Sequence, residues 1–94
     1  MPATIAQYRY IVKDKKIHGG EPVIKGTRFP VRSVVFYVIK EGMLPEELVK
    51  EFPQLTLPAV YEALSYYYDH RDEIEALMAE QKEKRWKRRT SGST

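Results

Sequence analysis

Residues 19–31 read Gly-Gly-Glu-Pro-Val-Ile-Lys-Gly-Thr-Arg-Phe-Pro-Val, and this stretch decides how the first third of the chain folds. Gly26 can adopt a positive φ at a turn, where a side chain would clash. Pro22 and Pro30 each fix their own φ and hold the preceding residue in an extended conformation. The stretch therefore predicts a short strand at residues 23–24, a turn around Gly26 and a helix that starts at Pro30.

A second strand is predicted just upstream. Residues 8–12 read Tyr-Arg-Tyr-Ile-Val, so that Tyr8, Tyr10 and Val12 share one face, as in a strand. Pairing with residues 22–25 would form a two-stranded β-ribbon, which is marginal alone and needs a helix layer or a second subunit to pack on.

The hydrophobic period becomes helical from Val31 onwards. Five apolar residues fall on one helical face: Val31, Val34, Val35, Val38 and Ile39. Gly42 stands where a left-handed residue would end the helix, which we predict at residues 31–41.

Residues 46–68 have the pattern of a helix-turn-helix. Pro45 opens the first helix and Pro53 ends it, while Thr56 is a good N-cap for the second helix, with Pro58 in its first turn. A last helix, capped by Asp69, carries a stripe formed by Ile74, Leu77, Met78 and Gln81. We therefore predict one mainly α domain over residues 1–94, with a β-ribbon at 8–28, a helix-turn-helix-like bundle of about four helices at 31–81 and a basic tail at 82–94.

Composition excludes several classes of protein. The 94 residues are 43% hydrophobic and 31% charged, as in a folded domain, and the absence of cysteine excludes disulfides and thiolate metal sites. The longest apolar run, residues 34–39, is too short to span a membrane, so we expect a cytoplasmic protein. His18 and His70 lie in no metal-ligand pattern and no phosphate-binding loop is present. We expect no catalytic residue, metal or cofactor, and no enzymatic activity.

The net charge of +3 conceals two basic regions, one at each end of the chain, and an acidic region between them. Residues 1–32 carry seven cations and two anions, residues 33–81 carry three cations and ten anions, and residues 82–94 carry six cations and one anion. If the protein binds a polyanion such as double-stranded DNA, the two basic ends should make the contact.

The β-ribbon provides the candidate DNA-binding residues, because ribbons can enter the major groove and glycine-rich turns offer backbone N–H groups to phosphates. These residues are Arg9, Lys25, Gly26, Thr27, Arg28 and Arg32. An alternative is that Thr27 and Arg28 only join the turn to the helices, with Arg28 paired to Glu47 or Asp69. The two interpretations are left open here.

The second helix of the helix-turn-helix is a weaker candidate for reading DNA. Its first residues, 56–62, include no cation and one anion. We expect it to serve as a scaffold or dimer surface, with Tyr61 and the tyrosine run at 66–68 in a packed aromatic cluster at a dimer contact. A homodimer or a higher even oligomer is the expected assembly.

The basic tail combines cations with one aromatic residue. Its candidate partner-binding residues are Lys84, Arg85, Trp86, Arg88 and Arg89. This segment would bind an acidic partner or nucleic acid with Trp86 as the anchor, or it would be a solvated helix end whose cations favour the helix dipole. The last residues, 90–94, are polar and we expect them to be disordered.

Four features together resemble the bacterial and archaeal family called domain of unknown function 433. They are GGEPVIKGTRFPV at 19–31, Gly42, EELVKEFPQLT at 46–56 and VYEALSYYYDHRDEI at 60–74, and the resemblance covers roughly residues 8–78. It implies a small helix-turn-helix fold and an antitoxin of a type II toxin–antitoxin pair that neutralises a PIN-like nuclease toxin and represses its own promoter. By this resemblance Gly26, Thr27 and Arg28 are signature residues. The rival expectation is a homo-oligomeric protein–protein interaction module without DNA binding.

Overall fold

The structure is a computed structural model that describes the backbone of residues 3–4 and 7–92 and the side chains of residues 7–82. Three short strands precede four helices, which confirms the predicted mainly α fold with an N-terminal antiparallel sheet. The elements are β1 (Ala3–Thr4), β2 (Ile11–Lys13), β3 (Pro22–Ile24), α1 (Val31–Val35), α2 (Pro45–Glu51), α3 (Leu57–Asp69) and α4 (Arg71–Gly92). None of the described helices combines the length and apolar character that a bilayer-spanning segment requires.

The predicted ribbon is formed by β2 and β3, which pair antiparallel with Ile11 opposite Ile24. The two-residue β1 adds a short edge on the other side of β2. The strand predicted from Tyr8 begins three residues later, at Ile11. Tyr8 is still buried, because its ring packs edge-on against Tyr66 at a centroid distance of 5.0 Å.

The first predicted helix changes its winding in the middle. Its α-helical part is α1, and residues Phe36–Lys40 continue as a π-helical turn. A π turn places an extra residue in the turn and so changes the phase of the residues that follow. For this reason Ile39, predicted on the buried face, is 39% exposed. Gly42 has a φ of +77° and ends the helix as predicted.

The helix-turn-helix is formed by α2 and α3. Pro45 is the first residue of α2, and the Glu47 carboxylate accepts a hydrogen bond from the Leu44 N–H at 2.9 Å. Thr56 is the N-cap of α3, as predicted, since its hydroxyl accepts from the Ala59 N–H at 3.4 Å. Local capping chemistry was sufficient to predict both helix starts.

The boundary between α3 and α4 corrects two expectations. Asp69 does not cap α4: it is the last residue of α3, and its carboxylate accepts a hydrogen bond from the Tyr8 hydroxyl. His70 separates the two helices, and its carbonyl accepts from the Ile74 N–H in the first turn of α4. The backbone of α4 continues through the predicted boundary at residue 81 and includes residues 90–92, which were expected to be disordered.

The core lies between the sheet and the helices and includes buried residues from β2, β3 and all four helices. Val31, Leu48 and Ile74 are fully buried, which ties α1, α2 and α4 to α3. The main hydrophobic cluster comprises Tyr8, Ile11, Ile24, Val31, Val34, Val35, Leu48, Leu55, Ala59, Val60, Ala63, Tyr66, Tyr67 and Ile74. Leu77 and Met78 pack against it, as the predicted stripe requires.

Candidate nucleic-acid interface

Hydrogen bonds hold the Gly-Thr-Arg segment (residues 26–28) and the turn that leads into it. The Thr27 N–H donates to the Ile24 carbonyl at 3.0 Å and Gly26 has a φ of +81°, which together define a type II turn over residues 24–27 that leads into Arg28. The Thr27 hydroxyl donates to the same carbonyl at 2.8 Å and accepts from the Phe29 N–H at 2.9 Å. Thr27 therefore closes the turn from inside, with both its backbone and its side chain.

Hydrogen bonds also fix the turn to the sheet. The Lys25 N–H donates to the Tyr10 carbonyl at 2.7 Å, and the Ile24 N–H donates to the Phe29 carbonyl at 2.9 Å. His18 has a φ of +49° and places its ring Nε2 2.9 Å from the Arg28 carbonyl. Because a carbonyl can only accept, Nε2 carries the proton in this contact. The loop that precedes β3 thus lies beside the turn.

A small open groove of about 320 Å³ runs between this loop and the turn. Val12 and Ile17 contribute its apolar lining, and the polar lining comes from Asp14 and residues 25–28. The Asp14 carboxylate accepts a hydrogen bond from the Lys16 N–H at 3.0 Å, so it already has a partner within its own loop.

The six predicted DNA-binding residues have different surroundings. Lys25 and Arg28 are exposed, and neither has a carboxylate partner among the described side chains. Glu47 and Asp69, the alternative partners for Arg28, are bonded elsewhere. Thr27 thus joins the turn to neighbouring backbone, as the structural interpretation expects, whereas Arg28 is paired with neither of the carboxylates that this interpretation names.

Arg9 and Arg32 also have different surroundings, since Arg9 is exposed and Arg32 is paired with a carboxylate. Arg9 is exposed, with its guanidinium 5.6 Å from the centroid of the Tyr10 ring. Arg32 instead faces Glu21, with Nε 2.8 Å from Oε1 and side-chain exposures of 17% and 7%. Those two atoms do not meet hydrogen-bond geometry, so the contact is an ion pair held by charge. The geometry thus removes Arg32 from the set of free cations.

The second helix of the helix-turn-helix presents no positive charge. No residue of α3 is a cation, and the Glu62 carboxylate in its first half accepts from the Tyr10 N–H at 2.9 Å. Tyr61 and Tyr68 are 52% and 58% exposed, seven positions apart on one face of the helix. Tyr66 and Tyr67 are buried instead, so the predicted aromatic cluster is divided between the core and the surface.

Buried tyrosine–carboxylate pairs connect α3 to its neighbours. Burial, with the hydrogen bond to Asp69, raises the pKa of Tyr8 to about 12. Burial and the 2.7 Å bond to the Glu73 carboxylate raise the pKa of Tyr66 well above its usual range. These groups therefore stay protonated and act as structural donors. In the described part of the chain, no group of His, Asp or Glu side chains is arranged to hold a metal ion.

The candidate partner-binding residues Lys84, Arg85, Trp86, Arg88 and Arg89 lie in the backbone of α4, but their side chains are outside the described residues. Their role stays a prediction. Sequence reasoning missed a larger groove between α1 and α4, where Phe36 is 37% exposed. The sequence did contain a signal for this groove, because Phe36 is a large apolar residue that lies off the apolar stripe of its helix.

Together, the sheet, the helix-turn-helix and the hydrogen-bonded turn define a small, mainly α protein with an exposed basic turn. The chain belongs to the family "Protein of unknown function (DUF433)", whose family model matches residues 11–67. It is also similar to a DUF433 member protein from Anabaena variabilis ATCC 29413, known from a crystal structure, at 28% identity and a TM-score of 0.71. The similarity covers 79% of this chain and 72% of that one. No curated protein matches the chain.

Proposed function

We propose that the chain is an antitoxin-like DNA-binding protein of a type II toxin–antitoxin pair, which neutralises a PIN-like nuclease toxin, represses its own promoter and has no catalytic activity of its own. The resemblance to antitoxin-like proteins supports the role as an antitoxin. The observation that supports DNA binding is that Lys25 and Arg28 are exposed at a turn fixed by hydrogen bonds, without a carboxylate partner among the described side chains.

The hydrogen bonds of the turn matter for affinity. Because they fix the backbone that carries Lys25 and Arg28, mainly the two exposed side chains lose conformational freedom when they contact a phosphate. The guanidinium of Arg28 can also donate two parallel hydrogen bonds to one phosphate, which the Lys25 ammonium cannot. Arg9, on the segment that leads into β2, is a further exposed cation of the N-terminal part of the chain. Phosphate contacts of this kind place a protein on DNA without reading its sequence.

The test is a salt titration of binding to the DNA upstream of the chain's own gene. Each of Lys25→Ala and Arg28→Ala should weaken binding and reduce the slope of log K against log salt by about one, because each removes one phosphate contact. Lys50→Ala is the matched control, since Lys50 is exposed on α2. Binding that is insensitive to salt, or variants that behave like the control, would contradict the proposal.

A second candidate function is a homo-oligomeric interaction module without DNA binding. The exposed pair Tyr61 and Tyr68 on the cation-free α3 favours it, because exposed tyrosines are typical anchors of protein interfaces. Analytical ultracentrifugation, which measures the oligomeric state, distinguishes the two functions. A dimer that dissociates in Tyr61→Ser but tolerates high salt, in a protein that binds no DNA, would support this alternative.

A further inference from the structure

A second groove lies between α1, with its π-helical turn, and α4. It has a volume of about 900 Å³ and shares no lining residue with the groove at the Gly-Thr-Arg turn. Its apolar lining includes Phe36, Tyr37 and Met78. We refer to it as the α1/α4 groove.

The π-helical turn forms one wall of this groove. The Glu41 N–H reaches back to the Phe36 carbonyl at 2.9 Å, and the Phe36 ring packs edge-on against Tyr37 at 5.4 Å while remaining 37% exposed. A large aromatic side chain exposed beside other apolar groups is stabilised when a partner covers it. The groove therefore has the apolar anchor points that a helix-binding surface requires.

Charged residues along the rim of the groove indicate the sign of the charge that a partner should carry. Lys40 is paired with Glu75 at 3.2 Å, and Arg32 with Glu21 at 2.8 Å. Lys82, at the end of the groove, is exposed and has no carboxylate partner among the described side chains. The sequence that follows Lys82 along α4 continues to be strongly basic. An acidic partner thus matches the open end of the groove.

The same charges disfavour a second copy of this chain as the occupant. In a two-fold interface both copies use the same surface patch. A second copy would bring the same unpaired Lys82 and the same basic sequence to the α1/α4 groove, and so would add positive charge instead of the carboxylates that Lys82 lacks.

We propose that the α1/α4 groove binds an acidic amphipathic helix of a partner protein. The apolar stripe of that helix covers Phe36, Tyr37 and Met78, and its flanking carboxylates face Lys82. This inference goes beyond the proposed function, because it requires neither DNA nor a nuclease.

The experiment uses two labelled helical peptides of about 18 residues, five turns long, that share one leucine stripe and differ in having Glu or Lys on the flanks. Fluorescence anisotropy with the full chain should show the Glu peptide binding at least about tenfold more tightly than the Lys peptide. The substitutions Phe36→Ser and Lys82→Glu should each lower the affinity for the Glu peptide by about tenfold or more. Lys82→Glu changes an exposed residue, so it tests the groove without affecting the core.

Two controls locate the binding. Tyr61→Ser removes an exposed aromatic residue from α3 and should leave binding unchanged. Because the chain contains no cysteine, Ala79→Cys and Ser65→Cys each provide one attachment point for an environment-sensitive dye, and only the dye at position 79, in the groove, should respond.

Three results would overturn the proposal: equal binding of the two peptides, no binding of the Glu peptide, or groove variants that bind it like the unmodified chain. A dimer that dissociates in Phe36→Ser would equally contradict it, since a second copy would then be the occupant.

Discussion

At the scale of single residues, the Gly-Thr-Arg turn divides its tasks. Gly26 provides the positive φ, Thr27 closes the turn with its hydroxyl, and Arg28 presents an exposed side chain while its carbonyl accepts from His18. Because the three tasks are separate, substitutions can separate stability from binding. Substitutions of Thr27 should lower the stability of the fold, and substitutions of Arg28 should lower the affinity for a ligand.

Thr27→Val tests the structural role of the hydroxyl, because valine has a similar shape but cannot hydrogen-bond. The Ile24 carbonyl and the Phe29 N–H would each lose a partner, and we expect the free energy of unfolding to fall by about 1–3 kcal/mol. Thr27→Ser keeps the hydroxyl and should cost less. Urea unfolding of the three proteins measures the difference, and a valine variant as stable as the original would refute the role.

At the scale of elements, local signals predicted the starts of α2 and α3 and the helix end at Gly42, but the N-cap predicted at Asp69 was wrong. Gly42, Thr56 and Pro58 act within one turn of themselves, so their roles could be read from the sequence. The partner of Asp69 could not, because Tyr8 lies 61 residues away. The π-helical turn was also missed, since a helical period in the sequence does not show where an extra residue enters a turn.

The junction of α3 and α4 yields a prediction on pH. The hydrogen bond from the Tyr67 hydroxyl, followed by Lys40, lowers the pKa of Glu75 below its ordinary value of 4.5. The unfolded chain therefore takes up the proton first, and the stabilisation is present above pH 4.5 and lost as the pH falls through the lower folded pKa. Glu75→Gln should lose stability at neutral pH and show a shallower decline below pH 4.5.

Unfolding by urea between pH 7 and pH 3 measures this effect. Glu51→Gln, at an exposed position of α2, is the control and should follow the original protein across the range. If Glu75→Gln and the original protein lose stability in parallel as the pH falls, the proposed link between Tyr67 and Glu75 does not hold.

At the scale of the whole molecule, the structure clarifies how the three charge regions are used. Lys13 pairs with Glu73 at 3.1 Å and Arg32 pairs with Glu21, so part of the N-terminal positive charge is neutralised within the fold. These pairings could not be predicted, because they depend on the packing of distant elements. The exposed pair Lys25 and Arg28 could be predicted, since a turn between two prolines stays at the surface.

The most direct test of the antitoxin proposal is a pull-down of the tagged chain from its own host, divided into nuclease-treated and untreated halves and analysed by mass spectrometry. An antitoxin should retain a small nuclease-like protein in both halves, because a toxin is held by protein contacts. If only nucleic acid and its companions are recovered, and treatment removes them, the antitoxin proposal is contradicted and the chain is a DNA-binding protein without a toxin partner.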